Sequence, residues 1–148
     1  MTRPFAEILI LIPTVLGTGL LMFVAGVIQG VMNDMDEAEF QRFLTSLYQH
    51  AIRSPYALTI SMITFVGAVP YLIFYGLHNW WFIAGLILWT VASVVSKAFN
   101  LPIYYRIFAL ESSDVARLKE ERRKLQSANL WRSTLSFASV VPMVIGLA

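Results

Sequence analysis

Four long apolar stretches constrain the fold of this chain more than any other feature. They cover residues 5–32, 56–77, 80–99 and 130–148. A helix of about 20 mostly apolar residues crosses the hydrocarbon core of a bilayer, which is roughly 30 Å thick. The sequence therefore predicts an all-α fold, an antiparallel four-helix transmembrane bundle that occupies residues 1–148 as a single domain.

The composition agrees with a location in a membrane. Hydrophobic residues make up 57% of the chain and charged residues only 14%, whereas an average soluble domain has about 25% charged residues. The formal net charge of +2 at pH 7 is a small basic excess of the kind that membrane proteins carry in cytoplasmic loops, so we expect no nucleic-acid partner. Because the chain has no cysteine, disulfides, thiolate nucleophiles and cysteine-bound metals are excluded.

The distribution of lysine and arginine predicts the orientation of the bundle. If the four stretches cross the bilayer alternately, ten of the eleven basic residues fall on one side and Arg3 alone falls on the other. Cytoplasmic loops carry the excess of lysine and arginine. We therefore expect both termini outside the cytosol, residues 33–55 and 100–129 in the cytoplasm, and a location in the inner (plasma) membrane of a bacterium.

The two cytoplasmic segments have helical patterns of their own. In the first, Phe40, Phe43 and Leu44 recur at helical spacing and predict an amphipathic helix. In the second, the absence of glycine and proline from residue 114 to residue 141 predicts a helix over residues 114–129 that is continuous with the fourth apolar stretch. This helical stalk needs a partner surface, which either the amphipathic helix or another protein provides.

Glycine and proline refine the predicted helices. Gly19, Gly26 and Gly30 form a smooth strip along the first apolar stretch, and small residues let helices approach closely in lipid. We expect this strip to pack inside the bundle, with homodimer formation as the alternative. Pro102 is expected to stop or bend the third helix, because proline lacks a backbone N–H and crowds the preceding turn.

Few ionisable residues lie near the apolar stretches. Glu7 is the only carboxylate close to one of them, and we expect it at the outer interface, within reach of Arg3 and water, with a proton-relay role as the alternative. His50 and His78 fall on opposite sides of the predicted bundle, so they cannot share a metal or a haem. We therefore predict no metal site.

A set of polar residues is expected to meet at the cytoplasmic mouth of the bundle. The set comprises Gln29, Ser96, Asn100, Asn129 and Arg132. Lipid cannot satisfy such groups, so they should converge on the interior. One interpretation is a hydrogen-bond network that fixes the register of the helices. The other is a ligand-binding floor for the carbonyl or phenolate oxygen of an apolar molecule, with Arg132 supplying the charge.

Two of these positions also carry a family resemblance. The Asn100-x-Pro102 and Asn129-x-x-Arg132 elements resemble those of the DUF1772 family of four-helix membrane proteins, which includes the anthrone-oxygenase-like proteins. The resemblance implies the four-helix fold and a cofactor-free oxygenation of anthrone-type phenolics. Leu130 stands where that family frequently has a histidine.

The sequence leaves the function open between classes of protein. The leading hypothesis is a non-catalytic accessory or scaffold subunit of a larger membrane assembly, or a homo-oligomer. The second is an oxygenase or a binding protein for polycyclic or quinone-like molecules, and the third is a small transporter that uses Glu7. The expected partners are the lipid bilayer and other membrane subunits or a second copy of the chain. No cofactor is predicted, although a bound lipid, quinone or pigment is compatible with the pattern.

Overall fold

The chain folds into five helices and, in the part that the structure describes, no strand. The structure is a computed structural model that describes residues 1–148 apart from the side chain of Ser61. The helices are α1 (Arg3–Asp34), α2 (Glu37–Arg53), α3 (Pro55–Tyr75), α4 (Trp80–Ala109) and α5 (Val115–Ile145). The predicted all-α class is confirmed, and each predicted apolar stretch lies within one of these helices to within a few residues.

Three of the helices are long and apolar enough to cross a bilayer. They are α1 with 32 residues, α3 with 21 and α4 with 30. The second half of α5, which covers the fourth predicted stretch, is not among them because polar residues interrupt its apolar ones. Four polar residues of this half-helix, Asn129, Ser133, Ser136 and Ser139, are buried, whereas its large apolar side chains are mostly exposed.

Helices α1 and α4 each contain one wider, π-helical turn. The turns cover Val24–Ile28 in α1 and Ser96–Asn100 in α4. Of the two outcomes expected at Pro102, a stop did not occur, because α4 continues through the turn to Ala109. A proline ring normally collides with the carbonyl four residues before it, and the wider turn immediately before Pro102 gives that carbonyl room to move.

Helix α2 packs against the first half of α5, as predicted for the stalk. Asp36 caps α2 in a capping box with Glu39, which satisfies backbone N–H groups at the start of the helix. Phe40 and Leu44 are buried in a core that also contains Leu118 of α5. Arg122 lies over the ring of Phe40, 4.7 Å from its centroid, and its Nη atoms donate to the Met35 carbonyl at 3.0 and 3.1 Å.

The four long helices do not approach one another equally. Helix α5 lies against α4 and α1, and α3 packs chiefly on α1. A Cβ atom on Gly85 would lie 2.1 Å from Met143 Cγ and 2.6 Å from the Ser139 carbonyl oxygen, so α4 and α5 are in near-backbone contact. The backbones of α3 and α4 stay apart, and large side chains such as Tyr71 and Phe82, with ring centroids 5.0 Å apart, bridge between them.

The predicted role of the glycine strip on α1 was wrong. Gly19, Gly26 and Gly30 are exposed, and a Cβ atom built on any of them meets nothing within 4 Å among the described residues. The glycine that packs is Gly17, whose Cβ would lie 3.0 Å from the Trp89 ring. The strip therefore forms an outward-facing surface, called here the glycine face.

Candidate ligand-binding site

The five polar residues predicted to converge do meet, and Asn129 lies at their centre. Asn100 Nδ2 donates to Asn129 Oδ1 at 2.8 Å, and Asn129 Nδ2 donates to Gln29 Oε1 at 3.1 Å. Arg132 Nη2 donates to Asn129 Oδ1 at 3.1 Å, and Arg132 Nη1 donates to Ser96 Oγ at 3.3 Å. These contacts join α1, α4 and α5 in one polar network.

Both π-helical turns end at this network. Gln29 directly follows the turn in α1, and Asn100 is the last residue of the turn in α4. A π turn adds a residue to one helical turn and so rotates the side chains that follow it. In a regular helix, the residue that faces Asn129 would be a different one. The two turns therefore set which side chains reach the network.

The network divides into a closed part and an open part. Gln29, Asn100 and Asn129 are buried and use most of their polar atoms on one another. Ser96 and Arg132 lie at the edge of the network and also line a cavity of about 430 Å³ among α1, α3, α4 and α5. The structure therefore places only these two of the five predicted residues against open space, called here the central cavity.

The central cavity has an apolar wall with a polar patch on α4 and α5. Among the described side chains, its polar lining consists of Trp89, Ser93, Ser96, Lys97, Arg132 and Ser136. No aspartate or glutamate is among the described residues that line it. The rest of the lining comes mainly from apolar side chains of α1 and α3. A cavity of this size and character is typical of sites for small apolar ligands that carry a few polar groups.

Three residues of this patch have buried polar atoms without a hydrogen-bond partner. The atoms are Trp89 Nε1, Arg132 Nε and Ser136 Oγ. Trp89 is 6% exposed and Ser136 is 1% exposed, so bulk solvent does not reach these residues freely. An indole N–H and a guanidinium N–H can only donate, and leaving such a donor unpaired costs about 1–3 kcal/mol. The cavity wall therefore contains residues whose hydrogen-bonding capacity is not fully used within the described structure.

The sequence pattern contained only a weak signal for Trp89 and Ser136. Trp89 lies on a helical stripe of α4 with Ser93 and Ser96, and Ser136 lies on a stripe of α5 with Asn129. These stripes indicate a common face, but which members face a cavity depends on the distance between α3 and α4. That distance is a property of the tertiary packing and has no local sequence signature.

The other cavities lack this combination of features. A groove of about 650 Å³ between α4 and α5 and one of about 740 Å³ between α1 and α3 are larger and mostly apolar. The first includes Arg106 and Lys124, but both side chains already bond Glu121 at 2.8 Å. The central cavity is therefore the candidate site.

A second polar cluster lies at the opposite end of the helices, around Glu7. The expectation that Glu7 would be in contact with water was wrong, because its side chain is 1% exposed. Glu7 Oε1 accepts from Tyr71 Oη at 2.7 Å and from Asn79 Nδ2 at 2.9 Å, and Arg3 Nε lies 3.5 Å away. Asn79 Nδ2 also donates to the Gly146 carbonyl at 2.8 Å, so this cluster ties the two termini to the α3–α4 turn.

Comparisons with known proteins found no match for this chain. The chain matches no family model, no curated protein and no solved structure. Within the described residues, no three histidine, aspartate or glutamate side chains are grouped so that they could hold a metal ion. The resemblance to the DUF1772 family stays a prediction, and the central cavity is the feature from which a function can be inferred.

Proposed function

We propose that the chain is an integral membrane protein in which α1, α3, α4 and the second half of α5 cross the bilayer as an antiparallel four-helix bundle. The three apolar helices support this. The half-helix of α5 supports it too, because it buries Asn129, Ser133 and Ser136 and exposes Trp131 and Phe137, as expected for a helix with lipid on its outer side. In the proposed orientation both termini lie outside the cytosol and α2 lies inside, in a bacterial inner membrane.

Within this bundle, we propose that the protein binds an apolar molecule that carries an oxygen acceptor, such as a quinone-like or polycyclic carbonyl or phenolate. The observation that carries the proposal is that Arg132 lines a mostly apolar cavity in which no described lining residue is a carboxylate. A ligand oxygen would accept a charge-assisted hydrogen bond from Arg132 there. The apolar wall of the cavity would take the body of the molecule.

The polar network has a positioning role in this proposal. Asn129 and Ser96 each accept a hydrogen bond from an Nη atom of Arg132, which fixes the guanidinium plane at the edge of the cavity. Asn100 and Gln29 in turn hold Asn129. Leu130 cannot act as a base where the resembling family frequently has a histidine, so binding is proposed here rather than oxygenation.

Fluorescence of Trp89 tests this proposal. The chain has four tryptophans, and the other three are more than half exposed. Replacing Trp80, Trp81 and Trp131 by phenylalanine leaves Trp89 as the only indole. Titration of this purified variant with a naphthoquinone is expected to give saturable quenching, weakened at least tenfold by Arg132→Gln and unchanged by Arg123→Gln, which removes an exposed arginine of the same helix. Non-saturable quenching that is equal in all variants would refute the proposal.

A second candidate function is that of an accessory or scaffold subunit, or of a homo-oligomer, and the glycine face favours it. A Cβ atom added to Gly19, Gly26 or Gly30 would have no described neighbour within 4 Å, and such surfaces allow another transmembrane helix to approach closely. Purification from native membranes in a mild detergent tests it. A complex larger than the monomer that is lost in Gly26→Leu supports an assembly, whereas a monomer in both cases contradicts it.

A further inference from the structure

The charge of Arg132 points to the ligand class of the central cavity. Arg132 forms no ion pair with a carboxylate among the described residues. Four other basic residues do form one: Arg3, Arg106, Arg122 and Lys124. Lys97 lines the same cavity, also without a carboxylate in the described lining. An arginine within a membrane-spanning segment is costly unless an opposite charge or water compensates it. The missing counter-charge is the feature to be explained.

A second cavity borders the central one and is almost purely apolar. This side groove, of about 360 Å³, lies between α3 and α4, where the two backbones stay apart. Phe65 and Trp89 belong to the linings of both cavities. The side groove then follows α4 to Ile83, and from Ser96 to Ile83 the helix rises roughly 20 Å. An elongated apolar chain would fit this path better than a compact ring system.

We propose that the natural ligand is a single-chain anionic amphiphile, a long-chain carboxylate. Its carboxylate pairs with Arg132 in the central cavity, and its chain lies in the side groove. A charge-assisted bond between an ionised carboxylate and the Arg132 guanidinium is stronger than a neutral hydrogen bond. This inference rests on the proposed binding function and narrows it to one class of ligand.

The open side of the groove faces the expected lipid. On α3, Phe65 and Leu72 line the groove while remaining at least 39% exposed, and on α4 Ile87 is 56% exposed. A chain-bearing molecule dissolved in the bilayer can therefore reach the groove sideways, without crossing the polar network. The same chemistry is present in free fatty acids and in the headgroups of anionic phospholipids. The single narrow groove favours the free fatty acid, which has one chain.

The charge requirement is tested with matched ligands on the variant in which Trp89 is the only tryptophan. At pH 8, palmitate is expected to bind saturably, and methyl palmitate, which has the same chain without the charge, at least tenfold more weakly. Arg132→Gln is expected to abolish this preference, whereas Arg123→Gln keeps it. Circular dichroism verifies that each variant is folded. The comparison of palmitate with methyl palmitate is also made with Arg132 in place, so it stands even if the Arg132→Gln variant does not fold.

The outcomes separate this inference from the proposed function. Equal affinity for palmitate and methyl palmitate, together with naphthoquinone binding, would overturn the anion and leave the binding function standing. Absence of saturable binding for all three compounds would overturn both. Octanoate is expected to bind more weakly than palmitate because it fills less of the groove, and equal affinities would overturn the role of the groove. Tighter binding of phosphatidylglycerol than of palmitate would overturn the single-chain ligand.

Discussion

At the scale of single residues, Asn129 contributes most to the order of the site. Its side chain accepts from Asn100 and Arg132 and donates to Gln29, and it is only 1% exposed. A single hydrogen bond between membrane helices is typically worth less than about 1 kcal/mol, but loss of Asn129 leaves three groups without their partner at once. Its effect should therefore exceed that of an ordinary polar residue in the same helix.

The substitution Asn129→Ala is accordingly predicted to lower the free energy of unfolding by about 2 kcal/mol or more. The matched control is Ser133→Ala, one turn further along α5. Ser133 Oγ bonds the Leu130 carbonyl of its own helix at 2.9 Å, so its loss should change the free energy by less than about 0.5 kcal/mol. Denaturant unfolding in detergent measures the free energy of unfolding of both variants. Equal effects would show that the three contacts of Asn129 do not stabilise the protein together.

At the scale of helices, close approach is confined to particular glycines. Gly85 is predicted to tolerate no side chain, because a Cβ atom there would lie 2.1 Å from Met143 Cγ and 2.6 Å from a backbone oxygen of α5. Gly85→Ala should cost about 1–3 kcal/mol through overpacking. Gly19→Ala meets nothing within 4 Å and should be neutral or stabilising by up to about 1 kcal/mol, since alanine favours helix. Thermal unfolding of the two variants measures the contrast, which would vanish if α4 and α5 were not in backbone contact.

The end of α4 and the first half of α5 are joined by a carboxylate that responds to pH. Burial acts to raise the pKa of Glu121, but hydrogen bonds from Lys124 and Arg106 lower it, and the net pKa lies below its ordinary value. The ion pair should therefore stabilise the protein at any pH above the unfolded-state pKa of about 4.3. This contribution is lost as the pH falls through the folded-state pKa.

The stability of the wild type should consequently fall more steeply below about pH 4 than that of Glu121→Gln, which has no carboxylate to protonate. Glu39→Gln, in α2, is not a suitable control because Glu39 takes part in the capping box. Asp114→Asn is the better one, because the side chain of Asp114 makes no capping bond. Parallel loss of stability in the wild type and in Glu121→Gln would contradict the assigned role.

The sequence predicts those features of the helices that depend on local interactions, and it does not predict those that depend on contacts between helices. The helices follow from apolar length and periodicity, and α2 and the continuous α5 follow from local patterns. The continuation of α4 past Pro102 depends on a π turn, which has no reliable sequence signal. The outward position of Gly19, Gly26 and Gly30 and the burial of Glu7 depend on how the helices are rotated against one another. Tertiary contacts alone determine that rotation.

At the scale of the whole molecule, the proposed topology is testable because the chain has no cysteine. His78 is exposed in the α3–α4 turn and Arg123 is exposed on α5. A membrane-impermeant maleimide should label His78→Cys in cells or spheroplasts with an intact inner membrane, and Arg123→Cys only after that membrane is permeabilised. The opposite result would invert the proposed orientation, and labelling of both sites from one side would contradict a crossing of the membrane by α4 between them.

The site shows where sequence reasoning stops for the whole molecule. The sequence predicts that five polar residues converge, since lipid does not satisfy polar groups. They are Gln29, Ser96, Asn100, Asn129 and Arg132. Their division between a closed network and a cavity wall is not predictable, because it depends on the gap between α3 and α4. The same gap brings in Trp89 and Ser136, whose buried polar atoms have no partner.

The most direct test of binding in the central cavity is native mass spectrometry of the protein released from its own membranes. We expect one additional small mass per chain in the wild type and in Arg123→Gln. That mass should be lost when Trp89→Phe and Arg132→Gln are combined, while the protein stays folded by circular dichroism. A wild type that carries no such mass, or one that the double variant retains equally, would contradict ligand binding in the cavity.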